Sequence, residues 1–136
     1  MNYEKVKHLE MIQGIIARMA QNGFMLKGWS VTLISALIAA GMASGSTGML
    51  WLALFPAIAF WILDGYYLAQ ERIFRDLYDD MRLRTDSVGD DAYAMKRELG
   101  AESTKSWVSA VFSTTVGGFH ASVVILLISW ALIIST

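Results

Sequence analysis

Three ionisable residues, Lys27, Asp64 and His120, border or interrupt the apolar parts of this sequence. Lys27 precedes and Asp64 follows a run, 28–63, that contains no Lys, Arg, Asp or Glu, and His120 is the only ionisable side chain in 106–136. An ammonium group, a carboxylate and an imidazole can together bind a proton or a cation and pass it on. Ionisable residues inside a membrane commonly mark such a path.

The lengths of the uncharged runs determine the fold class that we expect. A helix needs about 20 apolar residues to span a bilayer. Hydrophobic residues make up 55% of the chain and charged residues 17%, and the mean hydropathy is +0.45. We therefore predict a single-domain, all-α membrane protein with three transmembrane helices, at residues 28–43, 49–70 and 107–135. The third span begins at either Trp107 or Val116.

Residues 1–27 have the pattern of an N-terminal amphipathic helix. Apolar residues recur at steps of three and four from Val6 to Phe24, with Lys, Glu, Gln and Arg between them. The charges spread through this segment predict that it is not a cleaved signal peptide. Such a helix lies on the membrane surface with its basic residues near lipid headgroups, or it packs on its own protein or on a neighbouring subunit.

The second transmembrane helix follows a short turn and contains the only proline. The small, uncharged residues of 41–48 predict a tight hairpin between spans one and two. Pro56 predicts a modest kink or a local hinge, which membrane helices tolerate. An apolar stripe continues past the membrane exit at 60–78, so helix 2 is predicted to extend into the cytoplasm.

The cytoplasmic helical segment, 71–105, carries charges at helical spacing. Glu71 with Arg75 and Arg72 with Asp76 are opposite-charge pairs at i,i+4, which is typical of a solvent-exposed helix. These four residues are candidate contacts to another subunit or to a partner protein. Within the segment, 85–91 predicts a polar turn and 92–98 a short helix ended by a glycine.

The basic residues predict the orientation of the chain. All 11 Lys and Arg residues fall in two segments, four in 1–28 and seven in 71–105, and the connection between spans one and two has none. By the positive-inside rule both segments face the cytoplasm. We therefore expect a multi-pass protein with its N-terminus in the cytoplasm and its C-terminus outside.

Counting along the spans predicts that the three ionisable residues share one level. Asp64 lies 15 positions after Met49, His120 lies 16 before Thr136, and Lys27 lies 16 before Ala43. At 1.5 Å per residue, each is about 22–24 Å below the outer boundary. One interpretation is an ion or proton route with Lys27 as the counter-charge; the other is a polar cluster that sets the register of the helices.

The third span carries a second line of polar or small residues. Ser106, Ser109, Ser113, Gly117 and His120 follow one face of a continuous helix. Such a stripe lines a pore or forms a helix–helix interface. Ser109, Ser113 and Gly117 are therefore candidate pore-lining or interface residues.

The sequence lacks the patterns of enzymes and of other common binding sites. The two histidines, His8 and His120, do not form a metal-type motif such as H-E-x-x-H, and no phosphate-binding loop occurs. The absence of Cys excludes thiolate metal sites, and no basic patch suited to nucleic acid is present. We expect no enzymatic activity, no metal and no cofactor.

The layout of residues 3–84, centred on 60–84, resembles that of the SLATT-type small membrane effectors of bacterial defence systems. That resemblance is architectural: an N-terminal helix, a two-helix membrane hairpin and a long cytoplasmic helix that continues from the second span. It implies an oligomeric pore in the bacterial inner membrane that opens when a cytoplasmic sensor partner triggers it. The third span is a departure from the two-span form.

The sequence thus supports three functional hypotheses. The first is an oligomeric integral membrane channel or pore-forming protein, which acts as a membrane-disrupting effector in antiphage defence. The second is a non-conducting membrane scaffold that recruits a cytoplasmic partner through 71–105, and the third is a subunit of a proton-coupled transporter. Small residues in the spans and the helix beyond the membrane predict a homo-oligomer surrounded by membrane lipids.

Overall fold

The structure, a computed structural model, describes residues 3–83 and 101–135, and for 101–105 it describes the backbone alone. The described residues form helices and turns, with no strand. The helices are α1 (Tyr3–Ser44), α2 (Thr47–Leu52), α3 (Leu54–Leu83), α4 (Ala101–Val111) and α5 (Val116–Ser135). Three helical stretches are long and apolar enough to cross a membrane: α1, the α2–α3 stretch Thr47–Leu83, and α5. The predicted all-helical class and the prediction of three helices long and apolar enough to cross a membrane are therefore confirmed for the described residues.

Helix α1 joins two segments that the sequence predicts separately. The amphipathic segment 1–27 and the apolar segment 28–43 are parts of one helix of 42 residues, about 63 Å long at 1.5 Å per residue. No proline interrupts it, and Gly14 and Gly28 lie in open surroundings without ending the helix. The change from polar to apolar composition therefore does not coincide with a helix end.

The predicted hairpin is a two-residue reversal at Gly45 and Ser46. Gly45 has φ +64°, a left-handed conformation that glycine adopts without a Cβ penalty. The Ser46 amide donates to the Gly41 carbonyl at 3.1 Å, and the Gly45 amide donates to that of Met42 at 3.4 Å. These are the two bonds of a Schellman C-cap, which ends α1 and directs the chain into α2.

The interruption expected near Pro56 lies at Ala53, between α2 and α3. Pro56 has no amide hydrogen, so the carbonyl four residues earlier, at Leu52, loses its helical donor. Ala53 keeps right-handed helical angles (φ −65°, ψ −19°), and its amide still donates to Met49 at 3.2 Å. The chain direction is therefore retained through the interruption.

Two hydrophobic clusters hold α1 antiparallel to α3. Near the hairpin, Ile34 packs with Ala53, Ala57 and Leu127 of α5. At the opposite end of the two helices, a second cluster joins the apolar stripe predicted on the N-terminal half of α1 to the one predicted on the C-terminal half of α3. Its side chains are Leu9, Ile12, Ile16, Phe74, Leu77, Tyr78 and Met81. The N-terminal half of α1 thus packs on its own protein, which is one of the two arrangements expected for it.

The third predicted span, 107–135, is divided between α4 and α5. Helix α4 ends at Val111, and α5 begins at Val116, one of the two predicted starts. Ser113 caps α5, because its Oγ accepts from the Val116 amide at 3.3 Å and its carbonyl accepts from Gly117 at 2.7 Å. The predicted polar turn at 85–91 and the predicted short helix at 92–98 lie outside the described residues.

Candidate functional site

Lys27, Asp64 and His120, which we call the polar cluster, meet at one carboxylate oxygen. Oδ2 of Asp64 lies 2.6 Å from Lys27 Nζ and 3.0 Å from His120 Nε2. An ionised carboxylate only accepts hydrogen bonds, so the contact with an ionised Asp64 requires the tautomer of His120 that carries its hydrogen on Nε2. The three residues come from α1, α3 and α5. The structure therefore brings together the three residues that the depth count places at one level.

Burial of the polar cluster is uneven. Asp64 and His120 are each 1% exposed, whereas the Lys27 side chain is 26% exposed. The ammonium end of the cluster is thus open on one side, and the imidazole end is closed. With a neutral imidazole the charges of Lys27 and Asp64 cancel, which limits the free-energy penalty of placing ions in a low-dielectric interior.

Gly23 allows α1 to reach the carboxylate. It lies one helical turn before Lys27, and a Cβ built on it would lie 3.0 Å from Oδ1 of Asp64. A side chain there would displace the carboxylate or separate the helices. Gly23 therefore sets the approach of α1 to α3, and Lys27 then reaches Oδ2 from the same face of α1.

On the other side of Asp64, the end of α4 rests on α3. A Cβ on Gly65 would overlap Cγ2 of Val111 and would lie 3.0 Å from its Cα. One turn earlier, Trp61 Nε1 donates to the Val111 carbonyl at 2.9 Å, which satisfies a carbonyl that the helix end leaves without a partner. Trp61 and Gly65 thus fix the last residue of α4 beside the polar cluster.

Two aromatic rings hold the imidazole of His120. The Trp61 ring is stacked on it, with 6.3 Å between centroids and 12° between planes. Phe119 meets it edge to face, at 5.0 Å and 89°. Because Trp61 also holds Val111, the same side chain orients the imidazole and anchors α4.

Two buried polar atoms lack a partner, one in the polar cluster itself and one on the neighbouring turn of α1. Nδ1 of His120 and Oγ of Ser30 have no hydrogen-bond partner among the described residues. Ser30 is 0% exposed and follows Lys27 by three residues on α1. The sequence analysis missed Ser30 and Gly23, although Gly23, Lys27 and Ser30 recur at steps of four and three, which is the spacing of one helical face.

The predicted polar line of the third span does not form a continuous face. Because α4 ends at Val111, Ser109 lies on one helix, Ser113 in the turn and Gly117 on the next helix. Ser113 has a capping role, and Gly117 approaches Phe112 so closely that a Cβ would lie 3.2 Å from its backbone. The single-face expectation for 106–120 is therefore wrong, because hydroxyl residues at 113–115 start a new helix.

The predicted charge pairs at the end of α3 form in part. Arg75 donates to Glu71 at 2.9 Å from Nε, and its second nitrogen lies 2.7 Å from the same carboxylate. Arg72 does not pair with Asp76; it donates to Ser109 Oγ at 3.3 Å and so joins α3 to α4. Arg75 and Asp76 are exposed, and Glu71 and Arg72 are half-buried.

The arrangement suits the binding and transfer of a proton. Asp64 can accept a proton, His120 can exchange one through either ring nitrogen, and Lys27 supplies a fixed positive charge. Within the described residues no group of three His, Asp or Glu side chains could hold a metal ion.

Comparisons of the chain with protein-family models, with curated proteins and with solved structures found no significant match.

Proposed function

We propose that this protein is a membrane-embedded subunit of an oligomeric channel or pore, and that the polar cluster controls the passage of ions. The observation that carries the proposal is the sharing of Oδ2 of Asp64 by Lys27 and His120 among three helices that are long and apolar enough to cross a membrane. Ionisable residues at membrane depth are costly, and they are commonly retained where ions or protons pass.

Insertion in a membrane is supported by the surface of the helices. Large apolar side chains are exposed on α5, with Ile125 at 63%, Leu126 at 69% and Ile133 at 70%. Water would be a poor solvent for such a surface, whereas lipid tails or another subunit would cover it. The confinement of Lys and Arg to 1–28 and 71–105 supports an N-terminus in the cytoplasm and a C-terminus outside.

An oligomer is supported by the closed interior of the single subunit. Asp64 and His120 are almost completely buried, and three spans have little capacity to enclose a conducting path. Conduction therefore requires several copies, or a movement that opens the polar cluster. The architectural resemblance to SLATT-type effectors supports a place in the bacterial inner membrane, a role in antiphage defence and a cytoplasmic sensor partner as the trigger.

Ion flux in liposomes tests the proposal. Purified protein is reconstituted, and dissipation of potassium and proton gradients is followed with fluorescent dyes. We expect the wild type to dissipate at least one gradient and Asp64→Asn to alter the rate strongly. The matched control is Asp79→Asn, because the Asp79 side chain is 64% exposed and lies 3.9 Å from Arg82, away from the polar cluster.

Each outcome distinguishes the hypotheses. Intact gradients with the wild-type protein would contradict the channel and favour the scaffold that recruits a partner through 71–105. Flux of equal rate in wild type and Asp64→Asn would leave a channel but remove the polar cluster from its control. Flux of protons alone, coupled to a second solute, would favour the transporter subunit.

A further inference from the structure

Within the part of the chain that the structure describes, Arg72 is the arginine of α3 that faces no carboxylate. Helix α3 carries three arginines, and the other two pair with acidic residues of the same helix at 2.7 and 3.9 Å. Among the described residues the guanidinium of Arg72 has one partner, the hydroxyl of Ser109, to which it donates at 3.3 Å. A guanidinium has five N–H donors, so most of those of Arg72 are available to a further acceptor.

Ser109 places a hydroxyl donor beside this guanidinium. Its Oγ accepts from Arg72, and its own hydrogen goes to no acceptor in the described part of the chain. Ser109 is exposed on α4 and Arg72 is half-buried on α3, so a ligand can reach both from the surface. An arginine fork next to a hydroxyl is a donor set that fits the oxygens of a phosphate group.

The level of Arg72 in the membrane follows from that of Asp64, with the spans and orientation proposed above. Arg72 lies eight residues beyond Asp64 on the same helix, or about 12 Å at 1.5 Å per residue. Asp64 is about 22–24 Å below the outer boundary, so Arg72 is about 34–36 Å below it. The hydrocarbon core is about 30 Å thick, and each headgroup layer adds about 5–7 Å. Arg72 is therefore at the level of the phosphates of the cytoplasmic leaflet.

An exposed apolar ring lies on the membrane side of this donor pair. The last residue of α4 contacts Gly65, whereas Ser109 contacts Arg72, so α4 runs toward the membrane interior as it nears its end. Phe112 follows Ser109 by three residues and is 72% exposed. Phosphate donors at the headgroup level, with an apolar surface below them, match the layout of a phospholipid.

We propose that Arg72 and Ser109 form a binding site for the phosphate of an anionic phospholipid in the cytoplasmic leaflet. The guanidinium donates to two phosphate oxygens, the Ser109 hydroxyl donates to the same group, and an acyl chain lies against Phe112. The bound lipid thus joins α3 to α4 beside their existing hydrogen bond. This inference rests on the membrane insertion and orientation in the proposed function, and it does not depend on conduction.

The charges around the pair favour a lipid with a net negative charge. Glu71 is held by Arg75 at 2.7 Å. Asp76 is exposed and lies four residues, or about 6 Å, further from the membrane than Arg72. Among the described residues no carboxylate cancels the charge of Arg72 on the membrane side. A zwitterionic headgroup would bring its own cation to this place, whereas an anionic headgroup would not.

Native mass spectrometry of the purified protein with added lipid tests the site. Phosphatidylglycerol and phosphatidylcholine of equal chain length are titrated into wild type, Arg72→Gln, Ser109→Ala and the control Arg75→Gln. The control removes the same charge three residues away, from a side chain that is 61% exposed. We expect the wild type to prefer phosphatidylglycerol and Arg75→Gln to bind it equally well. Its affinity should fall about tenfold in Arg72→Gln and about threefold in Ser109→Ala.

Equal affinity of Arg72→Gln and Arg75→Gln for phosphatidylglycerol would overturn the site, and so would equal affinity of the wild type for the two lipids. Displacement of the lipid by inorganic phosphate, but not by chloride at equal ionic strength, would overturn a phospholipid as the ligand. A smaller oligomer in Arg72→Gln, with lipid binding unchanged, would overturn the site and assign Arg72 to a carboxylate of a second copy.

A variant that does not fold has a substitute. If Arg72→Gln is lost, Arg72→Lys replaces it, because lysine keeps the charge and loses the planar fork. Wild-type affinity for phosphatidylglycerol in both Arg72→Lys and Ser109→Ala would then overturn the site. Lipid binding is measured without ion flux, so the two proposals fail separately. A protein that binds the lipid at Arg72 and conducts nothing would overturn the channel alone, and one that conducts without this binding would overturn the site alone.

Discussion

A methyl group on Gly23 would lie 3.0 Å from Oδ1 of Asp64. The carboxylate cannot simply move away, because its other oxygen is held by Lys27 and His120. The separation of α1 and α3 at the polar cluster is therefore determined by the absence of a side chain at one position. The geometry of an ionisable site in this protein thus depends on a residue that has no ionisable group.

Gly23→Ala is expected to destabilise the protein by about 1–3 kcal/mol, because the added methyl overpacks the helix contact. Gly14→Ala is the matched control: nothing lies within 4 Å of its Cβ position, so replacement of a helical glycine there should stabilise by about 0.5–1 kcal/mol. Thermal unfolding in detergent measures both. Equal stabilisation by the two changes would show that α1 does not approach Asp64 so closely.

Lys27→Met is expected to destabilise the protein more than the double variant Lys27→Met/Asp64→Asn. The single change leaves a buried carboxylate, 1% exposed, without its cation, at a cost of about 3–5 kcal/mol. The double change removes both charges. A cycle of the two single variants and the double variant, measured by unfolding, gives the coupling free energy; additive effects would contradict the ion pair.

Gly65→Ala is expected to displace α4 from α3, because the new methyl would overlap Val111. Overpacking of this kind costs about 1–3 kcal/mol. Gly118→Ala is the control, since its Cβ position is open. The intrinsic fluorescence of Trp61, whose indole donates to Val111, reports the displacement when the other tryptophans are replaced by phenylalanine. An unchanged spectrum in Gly65→Ala would argue against the close contact.

Trp61→Phe is expected to retain an aromatic ring beside His120 and to lose the hydrogen bond to the Val111 carbonyl. The loss of one such bond corresponds to about 0.5–1.5 kcal/mol. Trp130→Phe, on a residue 44% exposed, provides the comparison and should have little effect. Unfolding measurements check the difference, and ion flux in liposomes shows whether the orientation of His120 also depends on the anchored end of α4.

The polar cluster could be predicted from the sequence because helical rise is uniform. Lys27, Asp64 and His120 each lie a similar number of residues from the outer end of an apolar run, so straight spans place them at one depth. That argument gives the level of a residue and leaves open the direction in which it points. The shared oxygen of Asp64 depends on the rotation of three helices, which follows from their packing.

Three other features could not be predicted from the sequence, each for a different reason. The boundary expected near residue 28 marks a change from polar to apolar composition, and the hydrogen bonding of α1 continues through it. The break after Val111 was not predicted because the apolar run favours one continuous helix. The side chain of Ser113 instead caps a new helix there. The tight approaches at Gly23 and Gly65 involve partners far away in the chain, so the identity of the glycines alone gave no sign of them.

The contacts of Val111 with Trp61 and Gly65 couple the position of α4 to the surroundings of Asp64. Val111 is the last residue of α4, and the two residues that hold it flank Asp64 in α3. Any change in the position of Val111 would therefore alter the packing of α3 on both sides of this carboxylate. The hydrogen bond from Arg72 to Ser109 is a second link between the same two helices.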